Sequence, residues 1–468
     1  MNIAVPEPKP FKPTKPGADA SLNDWLTYLE SIHSKPIDMG LDRVKVVQQQ
    51  MNFALKGVVF TVAGTNGKGS TCAMLESILI QAGYKVGMYT SPHLIRFTER
   101  ARINGAEVSE GDLIAAFEQV EIARVKTATS LTYFEFTTLA VAWVFAQLDL
   151  DAVILEVGLG GRLDAVNIFD ADCAICTSVD IDHQAFLGPD RESIGREKAG
   201  IFRAGRPAIV GDPKPPQSVI DHANSIGADL WLFARDYNYS GDKQQWAYGG
   251  RSMRRAALAY PALRGTNQLL NASAALAALE SMRDRLPVPA QSIRQGFLLV
   301  EWPGRFQVLP GQPTVVLDVG HNPHAAAHLR ESLDNMGFFP YTHCIFGMLA
   351  DKDAVEVVKA LKDRVDHWHL VPLEGDRGRS TEQLKLQLEQ AGVDAPAFDW
   401  ASNSQALAKG GIAKQPPEKS VQSYDSVGQA YAVVTSAVPP NDRILVFGSF
   451  LVVAQAMQAK EALRKRPG

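Results

Sequence analysis

An apolar run from Val58 to Ala63 feeds straight into Gly64-Thr65-Asn66-Gly67-Lys68-Gly69-Ser70. A glycine-rich turn carrying one lysine and then a hydroxyl, set between a strand and a helix, has the parts of a nucleoside-triphosphate cradle. The glycines let successive N–H groups turn toward phosphate oxygens, Lys68 brings a positive charge, and Ser70 is placed to reach a Mg²⁺ ion. A helix from Ser70 to about Ala82 would aim its partial positive charge at the same phosphates. The usual spacing GxxxxGK[ST] puts the hydroxyl directly after the lysine, whereas here Gly69 intervenes.

Three more segments put polar side chains where strands should end. They are Thr90-Ser91-Pro92-His93, the run Val153-Ile154-Leu155 closing on Glu156, and Ser178-Val179-Asp180-Ile181-Asp182-His183. A carboxylate closing an aliphatic run must be solvated, paired or metal-bound, because burying it alone costs several kcal/mol. Beside a phosphate loop, Mg²⁺ is the simplest partner. Singly, Ser91 also fits a helix cap and His183 a surface histidine, and Gly158-Leu159-Gly160-Gly161 lacks the last glycine of a dinucleotide fingerprint. Convergence at one sheet edge carries the argument. Arg196 to Ile201, containing Lys198, reads as a solvated helix end. Further on, Asp318 closes another apolar run before Gly320-His321-Asn322-Pro323, and fits a helix cap, a ribose or a metal; Arg305 fits a phosphate or a structural role.

The elements that must position these groups follow from periodicity. Helical patterns at 21–33, 41–54 and 134–147 alternate with strands at Lys85–Thr90, Asp151–Val157 and Cys173–Val179. Such alternation predicts a mainly parallel sheet covered on both faces. Tyr237–Gly250 predicts a small hairpin excursion, and Asn271–Arg285 a helix. After Trp302-Pro303-Gly304-Arg305 the alternation restarts, with strands at Thr314–Val319, His343–Gly347, His367–Val371 and Arg443–Phe447. The expected fold is α/β: a flexible tail at 1–20, a P-loop domain with a mainly parallel sheet at 21–303, and a smaller Rossmann-like domain at 304–468. Residues 401–424, rich in Ser, Gln, Lys and Gly, predict a mobile insertion.

Composition narrows the class. The 468 residues are 46% hydrophobic and 21% charged, with net charge −4, which suits a globular protein and gives no reason to expect nucleic acid or an anionic membrane as partner. No apolar stretch approaches the roughly 18 residues that span a bilayer, and the proline- and lysine-rich start resembles neither signal peptide nor anchor. Four cysteines are too few for a disulfide framework, and the lone Cys173-x-x-Cys176 pair reads as small buried apolar residues. A reducing cytoplasm is the expected compartment.

Taken together, Gly64 to Gly69, Ser91-Pro92-His93, Leu155 to Asp164, Asp182-His183, Arg196 to Ile201, Pro303 to Phe306 and Asp318 to Pro323 resemble the bacterial bifunctional dihydrofolate synthase/folylpolyglutamate synthase family, a branch of the Mur ligase superfamily. The resemblance runs from about residue 37 to 450, in the family's order. It implies ATP-dependent addition of L-glutamate to dihydropteroate and to the glutamate tail of reduced folates through an acyl phosphate, by a monomer whose partners are these small molecules. It assigns ATP to Thr65, Asn66, Gly67, Lys68, Gly69, Ser70, Asn271, Arg305 and Asp318, one or two Mg²⁺ ions to Ser91, Glu156 and His183, and catalytic roles to Lys68, Lys198 and His321. Lys198 matches a lysine that the family carbamylates. The pterin is implied near Ile37-Asp38-Met39, Thr132-Tyr133-Phe134-Glu135 and Leu163-Asp164-Ala165.

Two departures stand out: Leu451 where the family often has histidine, and Gly320 where alanine is frequent. A Mur-type ligase acting on a UDP-sugar peptide is disfavoured by the pterin-like segment at 132–135, and a P-loop ATPase switch by the displaced hydroxyl after Lys68.

Overall fold

The structure, a computed structural model, describes residues 14–465 apart from 243, 376 and 409–413. Its first domain is built on an eight-stranded sheet of β1 (Val58–Ala63), β2 (Val86–Tyr89), β3 (Ala101–Ile103), β4 (Ala106–Glu107), β5 (Ala152–Glu156), β6 (Cys173–Cys176), β7 (Pro207–Val210) and β8 (Asp229–Leu232). The spatial order is β4-β3-β2-β5-β1-β6-β7-β8, parallel except at β3 and β4. Alternation along β1 sorts its side chains by face. Val59 and Ala63 join one core with helices Glu110–Lys126 and Tyr133–Ala146, while Val58, Phe60 and Val62 join another with helices Lys68–Gln81 and Gln268–Ser281. Both faces are therefore dry, and strand ends are where polar chemistry remains. The CxxC cysteines are buried on opposite faces of β6.

The excursion beyond β8 is a three-stranded antiparallel sheet, β9 (Asn238–Gly241), β10 (Trp246–Gly249) and β11 (Arg254–Leu258), one strand more than the expected hairpin. The second domain carries β12 (Gln307–Leu309), β13 (Thr314–Asp318), β14 (Thr342–Phe346), β15 (His367–Leu370), β16 (Ser420–Ser423) and β17 (Arg443–Phe447) in the order β12-β13-β17-β14-β15-β16. Only β12 runs antiparallel.

The expected mobile insertion at 401–424 is corrected in part. Trp400–Ala408 is a helix whose Trp400 is buried, and β16 pairs with β15 at the sheet edge. Polar composition hid the anchors Trp400, Val421 and Tyr424; residues 409–413 lie outside the described ones, as do 1–13 of the expected tail. The longest helix among the described residues, Glu110–Lys126, was missed because its apolar residues follow no clean stripe, although Ser109 caps it by accepting from the Asp112 N–H.

Candidate active site

The carboxyl ends of both parallel sheets face one another across a cavity of about 550 Å³. On one wall, β1 runs into the glycine-rich loop, which begins its helix at Lys68, two residues earlier than expected. Gly67, at φ +85, makes the turn that starts this helix, and a Cβ there would overlap the Asn271 amide. The segment after β6 pins the loop: Asn66 N donates to Ser178 Oγ at 3.0 Å, and Thr65 Oγ1 donates to the Asp180 carbonyl at 3.0 Å. Lys68 Nζ donates to the Gly64 and Thr65 carbonyls at 3.0 and 3.3 Å. The ammonium is thereby folded over the loop that it would share with phosphates.

Glu156 ends β5 at 3% exposure, and its Oε2 accepts from the Ser91 N–H at 3.2 Å. Burial raises its pKa, opposed by the charges of Lys68 and Arg305. No lysine, arginine or histidine lies within ion-pair distance of this carboxylate among the described residues, so the charges of Lys68 and Arg305 act on it only from farther off, and it faces the cavity without a direct partner. Ser91 is a backbone partner of Glu156, not a helix cap. Buried hard-oxygen donors of this kind fit Mg²⁺. Among the described residues no three His, Cys, Asp or Glu side chains converge on one point, so Glu156 and the Ser91 hydroxyl would supply part of a shell and phosphate oxygens and water the rest. His183 is engaged otherwise: Lys352 Nζ lies 3.4 Å from its Nε2. Its backbone is in the left-handed region, at φ 50, a strained conformation of the sort that collects at functional sites.

Lys198 is withdrawn from solvent. It is 4% exposed on helix Arg191–Ala199, not at a solvated helix end. Burial, and then the charge of Lys68, lower its pKa to about 8.

On the opposite wall, Asp318 caps no helix. Its carboxylate accepts from the N–H groups of Phe306 and Gly320 at 2.9 and 2.7 Å, and Asn322 is the true cap of helix Pro323–Asp334. Burial raises the Asp318 pKa, while those N–H groups and Arg305 oppose the shift. A Cβ at Gly320 would come within 2.8 Å of the Asp318 carboxylate, which accounts for glycine there. Arg305 lies over the Phe450 ring at 5.1 Å, with its charge destabilised by burial. His321 is held near pKa 4, first by burial and then by Lys352, and its Nδ1 is 3.0 Å from the Val319 carbonyl. Assigning the proton to that nitrogen leaves Nε2 as an acceptor, 3.8 Å from Asp182 Oδ2.

Contacts across the cleft close the two walls together. The Asn66 and Asn322 side-chain amides exchange hydrogen bonds at 3.2 Å each, and Asn66 Nδ2 is 2.8 Å from His324 Nδ1. Lys352 Nζ meets Asp182 Oδ1 at 2.7 Å with both side chains nearly buried. Burial pushes the Asp182 pKa up, but Lys352 and His183 outweigh it and hold the carboxyl well below the usual range.

Comparison with known proteins agrees with this geometry. Residues 62–279 match the Mur ligase middle domain, and residues 304–450 match the Mur ligase glutamate ligase domain. The Escherichia coli dihydrofolate synthase/folylpolyglutamate synthase is 45% identical over 451 residues, covering 96% of this chain and 98% of that protein.

The chain belongs to the dihydrofolate synthase/folylpolyglutamate synthase family.

It is accordingly an ATP-dependent ligase. The Haemophilus influenzae member is 38% identical over 94% of this chain and 97% of its own length. Escherichia coli FolC in complex with DHPP and ADP superposes with a TM-score of 0.86 at 44% identity, covering 96% of this chain and all of that one. The Yersinia pestis enzyme with AMPPNP and a Mn ion gives 0.84 at 42% identity, with the same coverage.

Of the site residues expected from this family, Thr65 to Ser70, Ser91, Glu156, His183, Lys198, Arg305, Asp318 and His321 all line the cavity. Asn271 does not; it is buried behind Gly67, where its Nδ2 donates to Gln268 Oε1 at 3.1 Å. None of the ten pterin residues lines it either. Thr132 and Glu135 form a capping box for helix Tyr133–Ala146, and Arg43 links Glu135 to Asp38 at 3.0 and 2.9 Å. Asp164 accepts from the Leu159 and Val166 N–H groups, and burial pushes its pKa up to about 7. These residues stand behind the glycine rim of the cavity: a Cβ at Gly158 would meet the Phe134 ring at 2.6 Å, and one at Gly160 would lie 3.7 Å from Met39 Cε. Sequence reasoning overlooked Arg100, Arg264, Gln268, His328, Lys352 and Arg377, all on the cavity wall. Lys352 had a signal, the charged run Asp351-Lys352-Asp353 just after an expected strand.

Proposed function

We propose that the chain joins L-glutamate to dihydropteroate and to the γ-carboxylate of reduced folates, as a monomer in the cytoplasm. The observation that carries this reading is the cavity itself, with a phosphate loop on one wall and Arg305, Asp318 and His321 on the other. Relatives solved with DHPP and ADP, and with Mn, AMPPNP and L-glutamate, support the choice of substrates. The substrate carboxylate attacks the γ-phosphorus of ATP, forming an acyl phosphate and releasing ADP. The glutamate amine then displaces inorganic phosphate and gives up a proton as the amide forms.

In this reading Thr65 to Ser70 hold the phosphates, while Lys68 and Arg305 neutralise charge that builds on the transferring group. Mg²⁺, bound through Ser91 and Glu156 with His183 once Lys352 releases it, would withdraw charge from the phosphate oxygens. His321 presents its neutral Nε2 to the glutamate ammonium as an acceptor and orients it. Lys198, with its pKa lowered to about 8, has an accessible neutral amine. That amine can add CO₂ to give a carbamate and a proton, turning a repelling cation into an anion beside the metal. The pterin would insert past Gly158 and Gly160 toward Phe134 and Met39. Incubation with ATP, Mg²⁺, L-glutamate and dihydropteroate tests the proposal: phosphate release should require the pterin or a folate, and release independent of both would overturn it.

A further inference from the structure

Gly69 is the residue that sets this phosphate loop apart, and the structure supplies a reason for it that lies outside the nucleotide. Trp302 belongs to the short linker between the two domains and packs against the core on that side of the first sheet. A Cβ built on Gly69 would come within 2.6 Å of Trp302 Nε1, 3.2 Å of Cε2 and 3.5 Å of Cζ2. A real Cβ essentially never comes within 3.0 Å of another heavy atom, so at 2.6 Å the indole nitrogen occupies the space that a side chain at 69 would need. Gly69 is the second residue of helix Lys68–Gln81, and its backbone is in the ordinary helical region, so no unusual φ demands glycine there. Contact with the linker does.

The contact continues along the helix. Arg102 on β3 lies with its guanidinium carbon 5.7 Å from the Trp302 ring, and its Nη2 pairs with Glu76 Oε2 at 3.1 Å. Glu76 is seven residues on from Gly69, two turns along the same face, and is almost fully buried. Trp302 thus rests on the start of the phosphate helix at Gly69 and, through Arg102, on its middle. Three residues later the same linker delivers Arg305 to the cavity, and the Gly304 carbonyl accepts from the Val319 N–H of β13's end at 2.9 Å.

We propose that Trp302 is a positioning residue that seats the interdomain linker on the phosphate helix, and that Gly69 is glycine to make room for the indole. The placement of Lys68 against Arg305, on which phosphoryl transfer depends, is then set by this packed contact together with the Asn66–Asn322 and Lys352–Asp182 contacts across the cleft. This rests on residues 64–70 being the nucleotide site, which Lys68→Ala tests separately: its full retention of activity would remove that premise.

A double-mutant cycle tests the proposal on the whole enzyme, with kcat and the KM for ATP measured for Gly69→Ala, Trp302→Ala and the pair. Gly69→Ala should lower kcat about 100-fold, Trp302→Ala about 10-fold, each changing the KM for ATP less than about threefold. In the pair, the added methyl has space, so kcat should return to within about threefold of Trp302→Ala alone. Trp302→Phe should retain most of the activity. Losses that multiply in the double mutant, or a KM for ATP raised tenfold by Gly69→Ala in both backgrounds, would show that Gly69 serves the phosphates directly and overturn the proposal.

Discussion

Acid should unseat the second domain through three histidines that take no part in the chemistry. His343 on β14 and His367 and His369 on β15 are each fully buried; His343 stacks on His367 with ring centroids 4.5 Å apart and reaches His369 Nε2 at 3.2 Å. Their polar partners are Ser420 for His367, Tyr424 for His369 and Asp442 for His343. Trp400 closes the cluster edge-on. Burial lowers the pKa of all three, and the proximity of His343 lowers those of the other two further; for His367 the result is about 3. The unfolded chain takes up these protons near pH 6.5 and the folded one does not, so stability is complete above about pH 7 and is lost as the pH falls from 6.5 toward 3. For His367 alone the loss between pH 7 and pH 5 is about 2 kcal/mol, a large share of the 5–15 kcal/mol typical of a domain. His93 and His321, both held near 4, add to the total, so the diagnostic quantity is a difference between proteins. His367→Asn keeps a partner for Ser420 and removes the titration. In urea unfolding followed by tryptophan emission, with the second-domain transition fitted on its own, the wild type should lose about 2 kcal/mol more than His367→Asn between pH 7 and pH 5. Parallel losses would show that the cluster admits a proton without cost and refute the argument.

Glu156→Ala should reduce turnover at least about 1,000-fold with little change in melting temperature, since it removes an unpaired buried carboxylate; near-normal turnover would disprove the metal assignment. Lys352→Met should leave the two domains folded but raise the radius of gyration in solution scattering, because Asp182 loses its partner across the cleft; the same compactness as wild type would mean that the Asn66–Asn322 exchange suffices. Activity should depend on CO₂ below pH 8, where Lys198 protonates: depletion of bicarbonate at pH 7 should lower kcat several-fold and restoration should reverse it, and a kcat indifferent to bicarbonate would remove the carbamate.

Much of the site was legible because its chemistry is local. Gly64 to Ser70, Glu156, His183, Asp318 and His321 each sit within a few residues of a strand end, and a parallel sheet brings strand ends to one edge. Lys198 needed more than the residues around it. A lysine near a helix C-terminus looks solvated until the fold buries it, and only the family resemblance set it apart. Polar composition misled at 401–424, where Trp400 just before the segment and Val421 and Tyr424 at its end, all buried, anchor a stretch whose average is hydrophilic.

The order of residues by itself determined that the chain handles nucleoside triphosphates: backbone freedom, one lysine and a hydroxyl at fixed offsets act within a single loop. What that loop faces was decided by tertiary structure. Asn322 against Asn66, Lys352 against Asp182 and Trp302 against Gly69 join residues far apart in the chain, and no local pattern encodes them. Their pairing depends on how two separately packed domains close, because the partners meet only when both sheets present their carboxyl ends to the same cavity.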